Sequence, residues 1–287
     1  MFRIALIGLG IGLLLAILAW AYGHVRYRAR MADARAAWAA ITALAPAGAP
    51  RFDPQTLHDQ PEIARRYLTH AIAPGTPLTP VVALQMEGVF RLGNADAPRA
   101  LRMAARQILA APGAFVWIPV MRGNGMRIDG SDGLWRSHGW TRFWMYQAIP
   151  LARVGSDPDV DRSAAMRPAL ESVWAPAALH PDLGARWQQT GPDTARVRFG
   201  TGTTAIDIDL TLDAEGALRS LVGQRWSNAN PDGIYRLQPF GGTALAEATF
   251  GGYTIPSHLA VGNHFGTDAY FAFFEVRVSD ADYLTAP

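Results

Sequence analysis

Hydrophobic and polar positions fall into three successive patterns along this chain. The first is an unbroken apolar run, residues 4–22, that contains no charge. At ~1.5 Å per helical residue it reaches across the roughly 30 Å hydrocarbon core of a bilayer, which predicts one transmembrane helix. The second pattern has near-helical spacing. Residues 26–44 are rich in alanine and arginine, good helix formers, and predict an extension of that helix into water. Pro46-Ala47-Gly48-Ala49-Pro50 ends it as a linker. A short helix is expected from Asp59, with Pro61 in its first turn and Ile63 and Tyr67 on one face. Residues 81–90 read as a first strand. Asp96-Ala97-Pro98 is then expected to open a second helix, with Leu101, Ala105 and Ile108 as its apolar stripe. Arg99, Arg102 and Arg106 lie together on another face of that helix, either against anionic headgroups or simply solvated.

The third pattern has a period of two. From Phe115 onward, aromatic and β-branched runs are broken by turns such as Gly123-Asn124-Gly125 and Asp129-Gly130-Ser131-Asp132-Gly133. The clearest alternation points Ile206, Ile208, Leu210 and Leu212 one way and Asp207, Asp209 and Thr211 the other. Residues 217–226 form the next strand, and a last hairpin pairs residues 253–263 with 270–278. Between the two strand-rich halves, residues 163–173 read as a helix kinked at Pro168. Strands in sequence with short turns argue for an antiparallel sheet of about eight to ten strands, too wide to stay flat. The expected fold is therefore α+β: an N-terminal transmembrane helix, then a large curved antiparallel sheet, an open half-barrel covered by helices. The domain boundaries that follow are 1–25 for the anchor, 26–50 for the juxtamembrane helix and linker, and 51–287 for the β-rich body.

The anchor has a rival. Ala19-Trp20-Ala21 is a weak cleavage site of the kind that ends a signal peptide, but the apolar run is long for one. Gly8, Gly10 and Gly12 are ordinary membrane-helix glycines rather than a phosphate loop. His24, Arg26, Arg28, Arg30 and Arg35 follow the span, so the positive-inside rule places a single-pass protein's body in the cytoplasm.

Composition narrows the chemistry. All 26 basic residues are arginine, which excludes Schiff-base lysines and a P-loop lysine. Cysteine is absent, which removes thiol catalysis, disulfides and thiolate metal sites. A net charge of +2 is too small to argue for a nucleic-acid partner. No pattern for a cofactor, a metal or a named reaction is present.

Aromatic residues give the densest signal. Phe115, Trp117, Trp135, Trp140, Phe143, Trp144 and Tyr146 crowd one turn-rich region. Flat rigid rings line pockets for apolar ligands, although core packing explains them as well. Trp117, Trp135, Trp140, Phe143, Trp144 and, beside Glu171, Trp174 are the candidate ligand-binding residues. His258 and His264 flank a predicted turn near Asp268, without a third histidine at metal spacing. Asp157-Pro158-Asp159-Val160-Asp161 imitates a calcium loop, but Arg162 stands where that loop needs glycine, so a helix N-terminus is expected instead. Ser131 lacks the nucleophile-elbow spacing. Glu171, in apolar surroundings, needs an arginine partner or a raised pKa.

Several segments together resemble an uncharacterised bacterial family known only as a domain of unknown function. They are Glu62-Ile63-Ala64-Arg65-Arg66-Tyr67-Leu68 with Pro74-Gly75, Ala114-Phe115-Val116-Trp117, Ala165-Met166-Arg167-Pro168-Ala169-Leu170-Glu171, Trp174-Ala175-Pro176-Ala177-Ala178-Leu179 and Gly252-Tyr253-Thr254-Ile255-Pro256. Pro168 departs from that pattern, where a helix-compatible residue is expected. The strand–helix–strand order and the turn Leu212-Asp213-Ala214-Glu215-Gly216 also give a looser likeness to lipoprotein-carrier folds, in which a curved sheet under a helical lid holds acyl chains.

The leading expectation is a membrane-anchored protein that holds an apolar or lipid-like ligand or docks on a membrane complex, with membrane lipids as partners. The alternatives are a hydrolase-like enzyme with a histidine–carboxylate site acting on a membrane-derived substrate, and a structural accessory subunit without ligand.

Overall fold

A computed structural model describes residues 2–155 and 157–286, so Met1, Ser156 and Pro287, the outer limits of the expected domains included, lie outside the described residues. Helix α1 (Phe2–Thr42) is continuous through both the apolar run and its arginine-rich extension. Its two halves differ in what they touch. Residues 6–20 are exposed along their whole length, Leu9 by 73%. The later half buries Ala34, Ala37 and Ile41 against Ile108, Val116 and Trp140 of the body. Residues 24–42 are thus part of the fold's packing.

Short α2 (Glu62–Ala71) buries Ile63, Tyr67 and Leu68 as its spacing predicts. Six strands follow: β1 (Val81–Leu92), β2 (Arg99–Ala110), β3 (Ala114–Gly123), β4 (Met126–Trp135), β5 (His138–Met145) and β6 (Ile149–Gly155). Helix α3 (Pro158–Leu170) then crosses the molecule and tightens into 3-10 turns at Glu171–Trp174, Pro176–Leu179 and Pro181–Leu183. Seven more strands return: β7 (Arg186–Gln189), β8 (Thr194–Phe199), β9 (Ile206–Leu212), β10 (Leu218–Ser227), β11 (Arg236–Phe250), β12 (Tyr253–Asn263) and β13 (Phe271–Tyr283). All belong to one antiparallel sheet of thirteen strands, in which β1 and β13 pair at the centre and β6 and β7 are the edges. The chain meanders outward from the centre, crosses beneath α3, and meanders back.

The sheet is curled. Helix α3 touches β4 and β5 on one side and β9 and β10 on the other, although β4 and β10 are seven strand steps apart. A flat sheet would hold them about 34 Å apart at ~4.8 Å per step, three times a helix diameter. Only a half-barrel lets one helix meet both. Its concave face holds α2, α3 and the 3-10 turns, and its convex face carries α1.

Three expectations are corrected. Residues 99–110 are strand β2, not a helix. Leu101, Met103, Ala105 and Gln107 point inward while Arg102, Ala104 and Arg106 point outward, so a period of two governs the segment. The apolar stripe Leu101, Ala105 and Ile108 is therefore split between faces, and Arg99 is on the opposite face from Arg102 and Arg106. Second, the sheet has thirteen strands rather than eight to ten; β2 and the short edges β6 and β7 make the difference. Third, residues 129–133 are not a turn but the middle of strand β4, and the chain turns instead at Arg136 and Ser137. The alternation at residues 206–212 holds, with Ile208, Leu210 and Leu212 buried and Asp207 and Asp209 turned outward. Pro168 lies in the last turn of α3, just before the helix tightens into the 3-10 turn at Glu171.

Candidate functional site

Between the concave face and α3 lies a cavity of about 250 Å³. Aromatic rings form most of its wall: Phe90, Trp117, Phe143, Phe240, Phe273 and Phe274, with Leu170, Val173 and Trp174 closing it from the lid. Trp117 meets Phe143 and Phe274 edge to face, at centroid distances of 6.2 and 5.9 Å, a favoured arrangement of ring quadrupoles.

The cavity lies toward one end of the half-barrel. Phe90, Val261 and Phe274 are within a few residues of the β1–β2 and β12–β13 turns. Register carries that end across the sheet, from Phe90 opposite Leu101, through Arg102 opposite Arg122 and Gly123 opposite Met126, to Ile128 opposite Met145. The β5–β6 turn that follows Met145 is where α1 leaves the body: the ring Nδ1 of His24 lies 3.3 Å from the Gln147 carbonyl. The cavity therefore sits at the end from which the apolar half of α1 projects. Phe90, Phe143, Phe273 and Phe274 are only half-buried there, while α2 and the 3-10 turns cover the far end.

A buried charged cluster forms the polar part of the wall. Arg167, on α3, donates to Glu171 one helical turn later at 2.9 Å and to Asp132 of β4. Gln107 of β2 donates to the other Glu171 oxygen at 2.8 Å, and Thr141 to the other Asp132 oxygen at 2.9 Å. Every carboxylate oxygen thus has a donor. Burial works against the Arg167 charge, but Glu171 and Asp132 outweigh it and hold its pKa above the ordinary arginine range. Burial likewise pushes the Glu171 carboxyl upward, opposed by Arg167 and Gln107. The arginine partner expected for Glu171 is Arg167.

The donors are less well matched. Arg225 of β10 lines the cavity, stacks on Phe240 at 4.8 Å and donates from Nε to Ser163 at 3.2 Å. Its terminal nitrogens have no partner among the described residues. Burial, and then the charge of Arg167, pull its pKa below the ordinary range, against Asp132 and Glu171. The buried indole nitrogen of Trp117 also has no partner.

The six expected ligand residues divide by strand parity. Trp117, Phe143 and Trp174 line the cavity. Trp135, Trp140 and Trp144 do not, which corrects the expectation of one pocket: they lie on the convex face under α1. There Trp140 donates to Ser131 at 3.0 Å, and Trp144 meets Tyr27 of α1 edge to face at 5.5 Å. The region's rings thus serve two opposite faces of one sheet. His258 lies 3.3 Å from Glu275, and His264 lies by the Ala229 carbonyl, so the two histidines do not meet. Asp157 caps α3 by accepting from the Asp159 amide.

Sequence reasoning missed Arg225, Asp132 and the phenylalanines of β1, β11 and β13. A signal existed. Leu221, Gly223, Arg225 and Ser227 share one parity of β10, so a charge stands on its inward side. Asp132 shares the inward parity of Ile128, Gly130 and Leu134 in the same way.

Residues 50–276 match the profile of a family of unknown function, DUF6544. No curated protein matches the sequence. Two solved structures are similar in fold. One is a LolA superfamily protein from Nitrosomonas europaea, 9% identical, with a TM-score of 0.42 over 78% of this chain and 93% of that one. The other is a domain from Vibrio parahaemolyticus assigned to outer membrane lipoprotein sorting, 11% identical, with a TM-score of 0.34 over 79% of this chain and 92% of that one. The chain belongs to the DUF6544 family, in accord with the resemblance read from its sequence.

Proposed function

We propose that this DUF6544 chain is a membrane-anchored binding protein whose half-barrel holds a lipid-like molecule with an apolar chain and a hydrogen-bond-accepting head. The observation that carries the reading is an imbalance in the cavity wall. Its carboxylate oxygens are all engaged, while the buried Trp117 indole nitrogen lacks a partner among the described residues and the half-buried Arg225 beside it donates only to Ser163. A buried donor without a partner is costly, so a ligand that brings acceptors is favoured. The aromatic remainder of the wall suits the chain. Exposed apolar residues of α1, long enough to span a bilayer, support retention in the membrane with the cavity facing it. The arginines after the span favour a cytoplasmic body.

Titration of detergent-solubilised full-length protein with a dansyl fatty acid tests this by energy transfer from tryptophan. A saturable signal, displaced by unlabelled fatty acid and weakened about tenfold by Arg225→Gln or Trp117→Phe, is expected. Val261→Trp, which fills the cavity, should abolish it. A signal that never saturates, or one untouched by Val261→Trp, overturns the reading.

A further inference from the structure

A second concavity, of about 340 Å³, opens between α1 and the β5–β6 edge on the convex side, away from the aromatic cavity. Its walls are Arg26 and Arg30 of α1, Arg142 of β5 and Arg153 of β6, over a floor of Trp144. A helix and a hairpin distant in sequence thus bring four arginines to one space. A single carboxylate answers them: Asp33 accepts from Arg30 at 3.0 Å and lies 3.7 Å from Arg142. Among the described residues, Arg26 donates only to the Tyr22 hydroxyl, at 3.0 Å. Arg153 has no acidic partner among the described residues. With one aspartate against four arginines, the cleft carries a surplus of three positive charges. Burial, and then Arg30, pull the Arg142 pKa below its ordinary range against Asp33, which is how crowded cations behave.

Position identifies the anion. Tyr22 ends the uncharged run, so Arg26 and Arg30 stand ~6 and ~12 Å farther along the helix axis. A headgroup layer is roughly 5–8 Å deep, which sets Arg26 within it and the Arg30 backbone about 4 Å beyond it, close enough for an extended arginine side chain to reach back. Exposed Trp20 and Tyr22 occupy the level where membrane proteins carry their aromatic belt. Beside them, the tip of the β5–β6 hairpin exposes Tyr146, Ile149 and Leu151, an apolar fringe next to the basic cleft.

We infer that this cleft binds the phosphate of an anionic phospholipid, fixing the body against the bilayer surface. Guanidinium forks match phosphate oxygens in pairs, and a surplus of positive charge repels the ammonium of a zwitterionic headgroup. The inference rests on the anchored reading but not on the aromatic cavity.

The test uses the full-length protein in a non-ionic detergent, titrated with short-chain phosphatidylglycerol, with phosphatidylcholine of the same chain length, or with inorganic phosphate. Native mass spectrometry counts bound lipid and thermal melting reads stabilisation. One phosphatidylglycerol per chain is expected, with a rise in Tm of several degrees, at least tenfold tighter than phosphatidylcholine and weakened by salt. The double variant Arg30→Gln, Arg153→Gln should lose at least tenfold in affinity while keeping its lipid-free Tm, since both side chains are exposed. Equal binding of both lipids, or unchanged binding by the variant, overturns the inference. Inorganic phosphate that stabilises as well as the lipid overturns the lipid as its source. Flotation with liposomes separates this from the anchor itself: the double variant still floats if α1 spans the bilayer, and neither protein floats if it does not.

Discussion

Arg167 joins three elements through its own side chain, and its removal shows what a buried charge costs. Arg167→Met leaves Glu171 and Asp132 facing an apolar wall, and a broken buried pair costs about 3–5 kcal/mol. The Glu171 carboxyl, which burial already pushes upward, then loses the opposing pull of Arg167 and rises further above its unfolded pKa. Such groups stabilise the fold below the unfolded pKa and lose that contribution as pH rises. Chemical denaturation should therefore show a deficit that shrinks between pH 7 and pH 5. His180 has the opposite sign. Its ring is 1% exposed, its Nδ1 accepts from the Asp182 amide, and its Nε2 has no partner. Burial holds its pKa below the ordinary 6.5, opposed by Asp182. The unfolded chain then takes up a proton that the folded one refuses. Stability should be full above pH 6.5 and fall with further acidification, by up to ~1.4 kcal/mol per pH unit. His180→Asn, which keeps an acceptor near the Nδ1 position, should flatten that part of the profile. At this scale the sequence was legible where chemistry forces a partner, as with Glu171, and where parity is clean, as with Ile208. It was illegible for Trp117 and Trp140, because a tryptophan suits either face of a sheet. Only the register separates the cavity ring from the one under α1.

Elements were readable to the degree that one period dominated. In residues 206–212, apolar and polar residues alternate without exception, and β9 follows. In residues 99–110, alanines at 100, 104 and 105 blur the alternation, and arginines at 99, 102 and 106 imitate a helical face. Pairing along the whole of β1 on one side and β3 on the other decides for a strand, since tertiary context overrides weak propensity. Docking of α1 left a subtler trace. A Cβ at Gly23 would lie 2.1 Å from the Ala148 carbonyl oxygen, so only glycine lets the helix approach the β5–β6 turn. Backbone cannot yield as a side-chain tip does. Gly23→Val should separate the two and cost about 1–3 kcal/mol, read as a lower Tm with a red-shifted Trp144 contribution to the emission. An unchanged Tm would mean that the helix and hairpin do not touch.

For the whole molecule, the arrangement ties the apolar half of α1, the arginine cleft and the aromatic cavity to one end of the half-barrel. The later half of α1 is bedded on the convex face, so the body is held close to wherever the apolar half resides. That geometry makes sidedness a property of the entire fold. The absence of cysteine makes it measurable. Ala95→Cys places a single thiol in the exposed turn between β1 and β2, at the end from which the apolar half of α1 projects. If the arginines after the span hold the body in the cytoplasm, a membrane-impermeant maleimide should label this thiol in inside-out vesicles and spare it in intact cells. Labelling of intact cells reverses the orientation. Mass measurement of the same protein answers the remaining rival: an N-terminus at Tyr22 would mean that the apolar half had been cleaved, leaving Arg26 and Arg30 on a freely diffusing body and the cavity with no bilayer to face.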